Sequence, residues 1–255
     1  MCILFIAVEQ HETFPLIIAA NRDEFYKRPT TSSHVWRGTP EIIAGQDEQA
    51  GGTWMGMNSQ GRLSALTNIR APHTLKDNAK SRGELVLNYL QQQPSDEQYT
   101  KQLQTTAEHY NGYNLLFGKW NALKVYNNHT NELQSLSPGY YGLSNADLNS
   151  PWPKINKGVQ ALKDYCDTHV ELNEEKLFNL LRDNTKAEDH MLPKTGVPEH
   201  WEKQLSSIFI NTPEYGTRSS TLLSVRNDGK VHWVEHVYND ETQFVSEQRF
   251  ELMFR

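Results

Sequence analysis

The sequence predicts an α+β fold, a four-layer αββα sandwich in which two antiparallel sheets pack together and helices cover their outer faces. The chain begins with strand-like runs, which are followed by two helix-like segments, further strand-like runs and a second pair of helix-like segments. Strand-like runs also end the chain. No alternation of strand and helix runs along the chain, which argues against a parallel sheet of βαβ units. The 255 residues, 37% of them hydrophobic, suit one two-sheet core, so a single domain over residues 1–255 is expected.

The first predicted element is a β-hairpin. Apolar runs at 1–8 and 16–21 flank the polar connection 9–13. Residues 28–40 are polar and contain proline, which predicts a loop. Three further strands, the last two joined by a turn at Asn58–Gly61, are predicted at Ile42–Ala44, Thr53–Met57 and Arg62–Thr67.

Apolar residues at helical spacing predict four helices, with Ser95 before the second and Pro153 in the first turn of the third. They cover Arg82–Gln92, Asp96–Glu108, Lys154–Thr168 and Asn173–Arg182. Residues 183–199, the longest irregular stretch, resemble a mobile lid more than a domain boundary. The remaining predicted strands are Tyr113–Gly118, Ala122–Asn127, Ser207–Ile210, Ser219–Val225, Lys230–Val237 and Phe244–Phe254, with a turn at Asn227–Gly229.

Composition argues against several classes of protein. A net charge of -6 without a basic patch disfavours nucleic acid as a partner. The two cysteines, Cys2 and Cys166, form no CxxC pair, and the ten histidines show no zinc-like spacing, so no metal or catalytic cofactor is expected and a reducing, cytoplasmic location is favoured. The apolar N-terminus lacks a basic segment and ends at Glu9, which predicts neither a signal peptide nor membrane insertion.

Cys2 follows the initiator methionine and heads the first predicted strand. If Met1 is removed, Cys2 carries both a thiol and a free α-amine, and the amine titrates near neutral pH, so that it can take the thiol proton. The alternative is that Cys2 is a small buried apolar residue. Neighbouring residues decide between these interpretations.

The polar segment Asn21-Arg22-Asp23-Glu24 follows the second predicted strand, which antiparallel pairing sets beside Cys2. Asp23 could then orient the Cys2 amine and tune its pKa. A solvated turn with an Arg22–Asp23 ion pair is the alternative. Trp54, after two glycines, is either a pocket wall or a core residue.

Six blocks of the sequence together resemble the NRDE family, also called the transport and Golgi organisation 2 family. The blocks are Met1–Ile3, Ala19–Phe25, Gly51–Trp54, Ala65–Asn68, Tyr141–Asn145 and Tyr215–Thr221. This resemblance implies an N-terminal nucleophile (Ntn) hydrolase-like fold and a role in moving haem, which would then be cargo. Haem-donor and haem-acceptor proteins are the transient partners that such a role implies.

More distantly, the segments Met57–Asn68 and Leu143–Asn145 are similar to bile salt hydrolases and penicillin V acylases. The similarity implies that Asn68 and Asn145 hold an oxyanion, and Arg218 is matched to a late arginine of those enzymes. Those amidases also have an arginine three residues before the aspartate, where this chain has Ala20. Neighbouring residues of an extended strand point to opposite faces, so Arg22 and Asp23 are not both expected in one pocket unless the strand bends.

Three functional hypotheses remain open. The first is a cytoplasmic haem-binding and haem-trafficking protein, and the second is a cysteine amidohydrolase that acts on a small amide or acyl substrate. In the second, Cys2 attacks, Asp23 orients its amine, and Asn68 and Asn145 hold the oxyanion. The third is a partner-binding module without enzymatic activity.

Overall fold

The computed structural model describes residues 2–253 and contains two antiparallel sheets. Met1, whose removal the sequence leaves open, and the predicted strand end at Phe254 lie outside the described residues. The strands are β1 Cys2–Val8, β2 Leu16–Phe25, β3 Thr30–Trp36, β4 Ile42–Asp47, β5 Met55–Asn58, β6 Arg62–Asn68, β7 Tyr113–Lys119, β8 Ala122–Asn127, β9 Glu132–Ser135, β10 Gly139–Leu143, β11 Tyr215–Val225, β12 Lys230–Tyr238 and β13 Phe244–Met253. The helices are α1 Gly83–Gln92, α2 Asp96–Thr106, α3 Pro153–Thr168, α4 Glu174–Leu181 and α5 Glu199–Gln204.

The two sheets differ in whether their strands follow the order of the chain. The first has the strand order β10-β1-β2-β11-β12-β13, so the N-terminal hairpin lies between strands from the C-terminal half. The second has β3 to β9 in chain order. Every strand pairing in both sheets is antiparallel.

Alternation of side chains along β1 builds two hydrophobic layers at once. Leu4 and Ile6 lie in the core between the sheets, whereas Ile3 and Phe5 belong to the core under α3 and α4. Helices α1 and α2 cover the second sheet through a third apolar cluster. The layer order is therefore αββα, which confirms the predicted fold class. Within residues 2–253, no helix is long and apolar enough to cross a membrane.

Local signals predicted several elements correctly. Ser95 caps α2 in a capping box with Gln98, and Pro153 opens α3. Gly61 and Gly229 have φ values of 79° and 85°, in the left-handed region that their predicted turns require. These elements are fixed by residues close in sequence, which is why they were predictable.

Other predictions were wrong. The predicted loop 28–40 contains β3, a half-buried polar edge strand with no apolar run that could reveal it. The predicted strand Ser207–Ile210 is a buried bend: the Ile208 carbonyl accepts from Asn21, the Phe209 amide donates to the Asp183 carbonyl, and Ile210 alone of these three bonds to β11, at Thr217. Elements β9, β10 and α5 were not predicted. The predicted lid contains a 3-10 helix at Asp189–Met191, and its mobility stays a prediction.

Candidate functional site

A cavity of about 340 Å³ lies at the end of the first sheet where β1 begins. Strands of both sheets and the start of α1 contribute to its wall. The lining residues are Cys2, Arg22, Asp23, Glu24, Arg28, Asp47, Thr53, Trp54, Leu66, Asn68, Ala79, Lys80, Ser81, Arg82, Gly83 and Asn111. Six of the residues selected from the sequence are among them, namely Cys2, Arg22, Asp23, Glu24, Trp54 and Asn68.

Cys2 is the first residue of β1 and pairs with Arg22 of β2. It is 9% exposed and lies in the core between the sheets, as the apolar interpretation predicted, but it also lines the cavity. Burial raises the pKa of the Cys2 thiol. The thiol is therefore neutral at physiological pH unless a base takes its proton.

Arg22 and Asp23 both line the cavity although they are neighbours in one strand. Cys2 of β1 pairs with Arg22 on one side of β2. On the other side of β2 the register shifts between Thr217 and Ser219, so β11 bulges at Arg218. The sequence analysis expected both side chains in one pocket only where the strand is irregular, and this register shift lies beside Arg22 and Asp23.

The Arg22 guanidinium packs on the Trp54 ring, with its central carbon 4.3 Å from the ring centroid. Arg22 is 5% exposed, and its Nη1 has no hydrogen-bond partner among residues 2–253. A Cβ added to Gly45 would overlap the Trp54 ring, so this glycine leaves the space that the indole occupies. Trp54 is therefore both a wall of the cavity and a support for Arg22.

Asp23 is 1% exposed and accepts a hydrogen bond of 2.8 Å from Thr217 Oγ1. The Tyr215 hydroxyl donates to its carbonyl oxygen at 3.0 Å. Burial raises the pKa of the Asp23 carboxyl, opposed by the positive charge of Lys154 and the Thr217 hydrogen bond. A cation near this carboxylate, such as the Cys2 ammonium of the predicted mechanism, would stabilise its charged form.

Three of the residues selected from the sequence do not line the cavity. Asn21 points away from it and donates to the carbonyl oxygens of Leu181 and Ile208, so it joins β2 to the helix side of the sheet. Arg218 Nη1 donates to the carbonyls of Phe25, Tyr26 and Arg28, each at 3.1 Å, and fixes the turn after β2. The third, Asn145, lies directly behind the cavity wall.

Asn145 is tied to Asn68 of the wall. Its Nδ2 donates to the Asn68 carbonyl oxygen at 3.0 Å, and its Oδ1 accepts from Ser144 Oγ at 3.1 Å. Ser144 Oγ also lies 3.3 Å from the carbonyl oxygen of Cys2. Asn145 therefore positions Asn68 relative to Cys2. Of these two asparagines, Asn68 lines the cavity and Asn145 does not.

A buried ionic cluster, which the sequence analysis did not find, lies near Asp23. Arg70 Nη1 and Glu202 Oε2 are 2.6 Å apart, and both side chains are 4% exposed. Lys154 Nζ donates to the Leu205 carbonyl at 3.0 Å, and burial lowers the pKa of Lys154 to about 7. Lys154 lies on the apolar face of α3, a signal that could have revealed it, whereas Arg70 and Glu202 meet only through the fold.

Glu235 of β12 is a second buried charge that the sequence analysis missed. It is fully buried, and its Oε2 accepts a hydrogen bond of 2.6 Å from the Ser33 backbone amide. Burial raises the pKa of the Glu235 carboxyl, and the Ser33 hydrogen bonds and the charge of Arg22 oppose this increase. Glu235 therefore joins β12 to β3 across the interface between the sheets.

Glu235→Gln is expected to become progressively more stable relative to the wild type as pH rises from about 4 to about 7. A carboxyl with a raised folded-state pKa stabilises the fold at low pH, and this contribution is lost as pH rises through that pKa. Glutamine does not titrate and can still accept the Ser33 hydrogen bond. Denaturant unfolding at several pH values measures the difference. Glu251→Gln is the control, because Lys230 lowers the pKa of Glu251 and the trend should reverse; a flat difference for Glu235→Gln would contradict the prediction.

No group of three or more His, Cys, Asp or Glu side chains in the described part of the chain is arranged to hold a metal ion. The cavity wall also contributes no histidine, methionine or tyrosine. Among the residues lining the cavity, Cys2 is the sole side chain of the kind that ligates haem iron.

Comparison with known proteins identifies relatives along most of the chain. The model of the Transport and Golgi organisation 2 family matches residues 1–240. The Homo sapiens Transport and Golgi organization protein 2 homolog is 34% identical over 261 residues, covering 94% of both chains. The Bos taurus homolog is 34% identical over 255 residues, covering 92% of both chains.

The fold has a counterpart among solved structures. A variant of the conjugated bile acid hydrolase from Clostridium perfringens matches with a TM-score of 0.51 at 10% identity, over 100% of this chain and 98% of that one. The architecture is accordingly that of the Ntn hydrolases, as predicted. At this identity the likeness concerns the fold alone.

Proposed function

Because the chain belongs to the Transport and Golgi organisation 2 family and has an Ntn-hydrolase-like fold, we propose that it is a cysteine amidohydrolase acting on a small amide or acyl substrate. The observation that carries the proposal is the position of Cys2 at the head of β1, inside a cavity that also contains Asp23 and Asn68. We place this activity in the cytoplasm, where Cys2 and Cys166 would both stay reduced, as free cysteines.

The reaction requires removal of Met1. The α-amine of Cys2 then takes the thiol proton, and the thiolate attacks the carbonyl carbon of the amide. As the C–N bond breaks, the ammonium returns the proton to the leaving amine and a thioester remains. Water, deprotonated by the same amine, attacks the thioester; this releases the carboxylic acid and restores the thiol.

The side chains around Cys2 suit these steps. A thiol whose pKa is raised by burial needs an internal base, and the α-amine on the same residue is the nearest one. Asp23 would orient the ammonium through its carboxylate, while Thr217 fixes the carboxylate itself. The Asn68 amide, held through Asn145, would donate to the oxyanion of the tetrahedral intermediate.

Inserting one bulky residue between Met1 and Cys2 is expected to lower amide hydrolysis by about 100-fold or more, because the thiol is kept and the free amine is lost. Intact mass first establishes that the wild type lacks Met1 and that the insertion variant retains both residues. Amine release from a panel of small amides then measures turnover. Alkylation of Cys2 by iodoacetamide is the control for an accessible thiol. Equal turnover by the two proteins would refute the α-amine mechanism.

Haem binding and trafficking is the second candidate function, with haem-donor and haem-acceptor proteins as transient partners. The presence of a thiol beside the cationic side chains Arg22 and Arg82 favours it, since these could hold the propionates of a haem whose iron Cys2 ligates. The largely polar wall supports it less, because a haem plane needs an apolar slot. Saturable Soret changes in the wild type that disappear in Cys2→Ala would support this candidate, and their persistence would exclude Cys2 as the ligand.

A further inference from the structure

The charges lining the cavity do not neutralise one another evenly. Arg28 is 2.7 Å from Asp47 and 3.9 Å from Glu24, so these three form their own ion-paired group. The other basic side chains of the lining, Arg22, Lys80 and Arg82, form no ion pair with any carboxylate of residues 2–253. With Asp23 included, the lining contains four basic and three acidic side chains, so it carries one net positive charge.

Arg22 is the most unusual of these groups. It is 5% exposed, pairs with Cys2 across the β1–β2 ladder, and leaves Nη1 without a hydrogen-bond partner in the described chain. The Trp54 ring covers one face of the guanidinium at 4.3 Å, and the Arg22 side chain lines the cavity. A buried guanidinium that forms no ion pair is costly, and an anion bound in the cavity would compensate its charge.

The start of α1 adds to the positive electrostatic potential in the cavity. Arg82 occupies the N-cap position without a side-chain cap, and Gly83, the first residue of the helix, lines the cavity. Helix N-termini carry partial positive charge and favour anions. Arg82 uses Nη1 to donate to the Gly112 carbonyl at 2.9 Å, a neutral acceptor, and the Glu24 carboxylate acts on its charge from beyond ion-pair distance. Lys80 is exposed beside it.

From this arrangement we infer that the substrate of the Cys2 pocket carries a carboxylate, which Arg22 and Arg82 bind next to the thiol. The inference rests on the proposed function, since it names the substrate class of that site. A carboxylate fits because the planar guanidinium fork binds it in a bidentate way and because its negative charge would lie beside two arginines that form no ion pair within residues 2–253.

Iodoacetate and iodoacetamide test this directly, because they have nearly the same shape and only the first carries a carboxylate. Both alkylate a thiol with loss of iodide. The measured quantity is the ratio of the two rate constants at Cys2, divided by the same ratio for glutathione. Peptide mass mapping separates Cys2 from Cys166. We expect a normalised ratio of about 10 or more, the size of one charge-assisted hydrogen bond.

The ratio is expected to fall toward 1 in Arg22→Gln and Arg82→Gln and to persist in Arg22→Lys, which keeps the charge. Arg226→Gln is the control for overall charge, because Arg226 is half exposed and pairs with Asp228 on the surface. A normalised ratio near 1 in the wild type overturns the inference, as does a high ratio that survives both glutamine variants. If Arg22→Gln does not fold, Arg82→Gln and Arg22→Lys still decide.

Alkylation needs no turnover, so the two proposals fail separately. A high ratio that depends on Arg22 and Arg82, together with no cleavage of any amide, would leave the carboxylate site standing and refute the hydrolase. Cleavage of amides together with a normalised ratio near 1 would support the hydrolase and refute the carboxylate site.

Discussion

Cys2→Ala is expected to lower amide turnover by about 10,000-fold or more, because it removes the atom that attacks the carbonyl carbon. Alanine keeps the strand conformation and the α-amine and only removes a sulfur from a site at the edge of the core. The fold should therefore survive, with a loss of stability of about 1 kcal/mol. Turnover of the amide that the wild type cleaves best is the measurement, with thermal unfolding as the check on folding.

Cys166→Ala is the matched control. Cys166 is also a buried free thiol, but it lies in the core under α3 and α4 and does not line the cavity. Burial raises the pKa of the Cys166 thiol to about 11, which makes it a poor nucleophile at neutral pH. Its replacement should leave turnover within a factor of about two. Residual hydrolysis by a pure Cys2→Ala preparation would exclude Cys2 as the nucleophile.

The part of the site that depends on sequence neighbours was predictable. Cys2 heads an apolar run, and the next apolar run ends at Asn21, so antiparallel pairing alone sets Arg22 and Asp23 near the thiol. The capped helices and the glycine turns follow equally local rules. What pairing could not show was the register shift of β11 opposite Arg22 and Asp23, the place where both side chains line the cavity.

The rest of the site depends on contacts between distant segments. Arg82 reaches the cavity because α1 packs over the second sheet. Glu202, in the unpredicted helix α5, meets Arg70 across a separation of 132 residues in the sequence. Arg218 was matched to a late arginine of the amidases. In the structure its Nη1 donates to three backbone carbonyls of one turn and it does not line the cavity, so its catalytic role stays a prediction.

Glu202→Ala is expected to lower the free energy of unfolding by about 3–5 kcal/mol, because it leaves Arg70 buried without its carboxylate. Arg70 has Nε and Nη2 already without hydrogen-bond partners in residues 2–253, and stacks on Trp152 at 5.0 Å. Glu202 also accepts hydrogen bonds from the backbone amide and hydroxyl of Thr195 at 2.8 and 2.6 Å, which would be lost as well. Denaturant unfolding at neutral pH measures the change.

The control is the ion pair between Arg249 and Glu174, which has two hydrogen bonds but is more exposed to solvent. Arg249 donates to both oxygens of Glu174 at 2.8 Å, but these side chains are 46% and 26% exposed. Water screens that pair, so Glu174→Ala should cost about 1 kcal/mol or less.

Replacing both buried partners, as in Arg70→Met with Glu202→Leu, should recover much of the stability that Glu202→Ala loses, because no charge is then left without water or a partner. If the single and double variants were equally destabilised, the loss would come from packing rather than from an unpaired charge.

The double variant also tests the electrostatic link between this ion pair and the cavity. Burial lowers the pKa of Lys154 most, and the charge of Arg70 lowers it further, whereas Glu202 raises it. Because the effect of Arg70 is larger than that of Glu202, removing both should favour the charged lysine. Charged Lys154 in turn stabilises the carboxylate form of Asp23, the form that the proposed mechanism uses to orient the Cys2 amine.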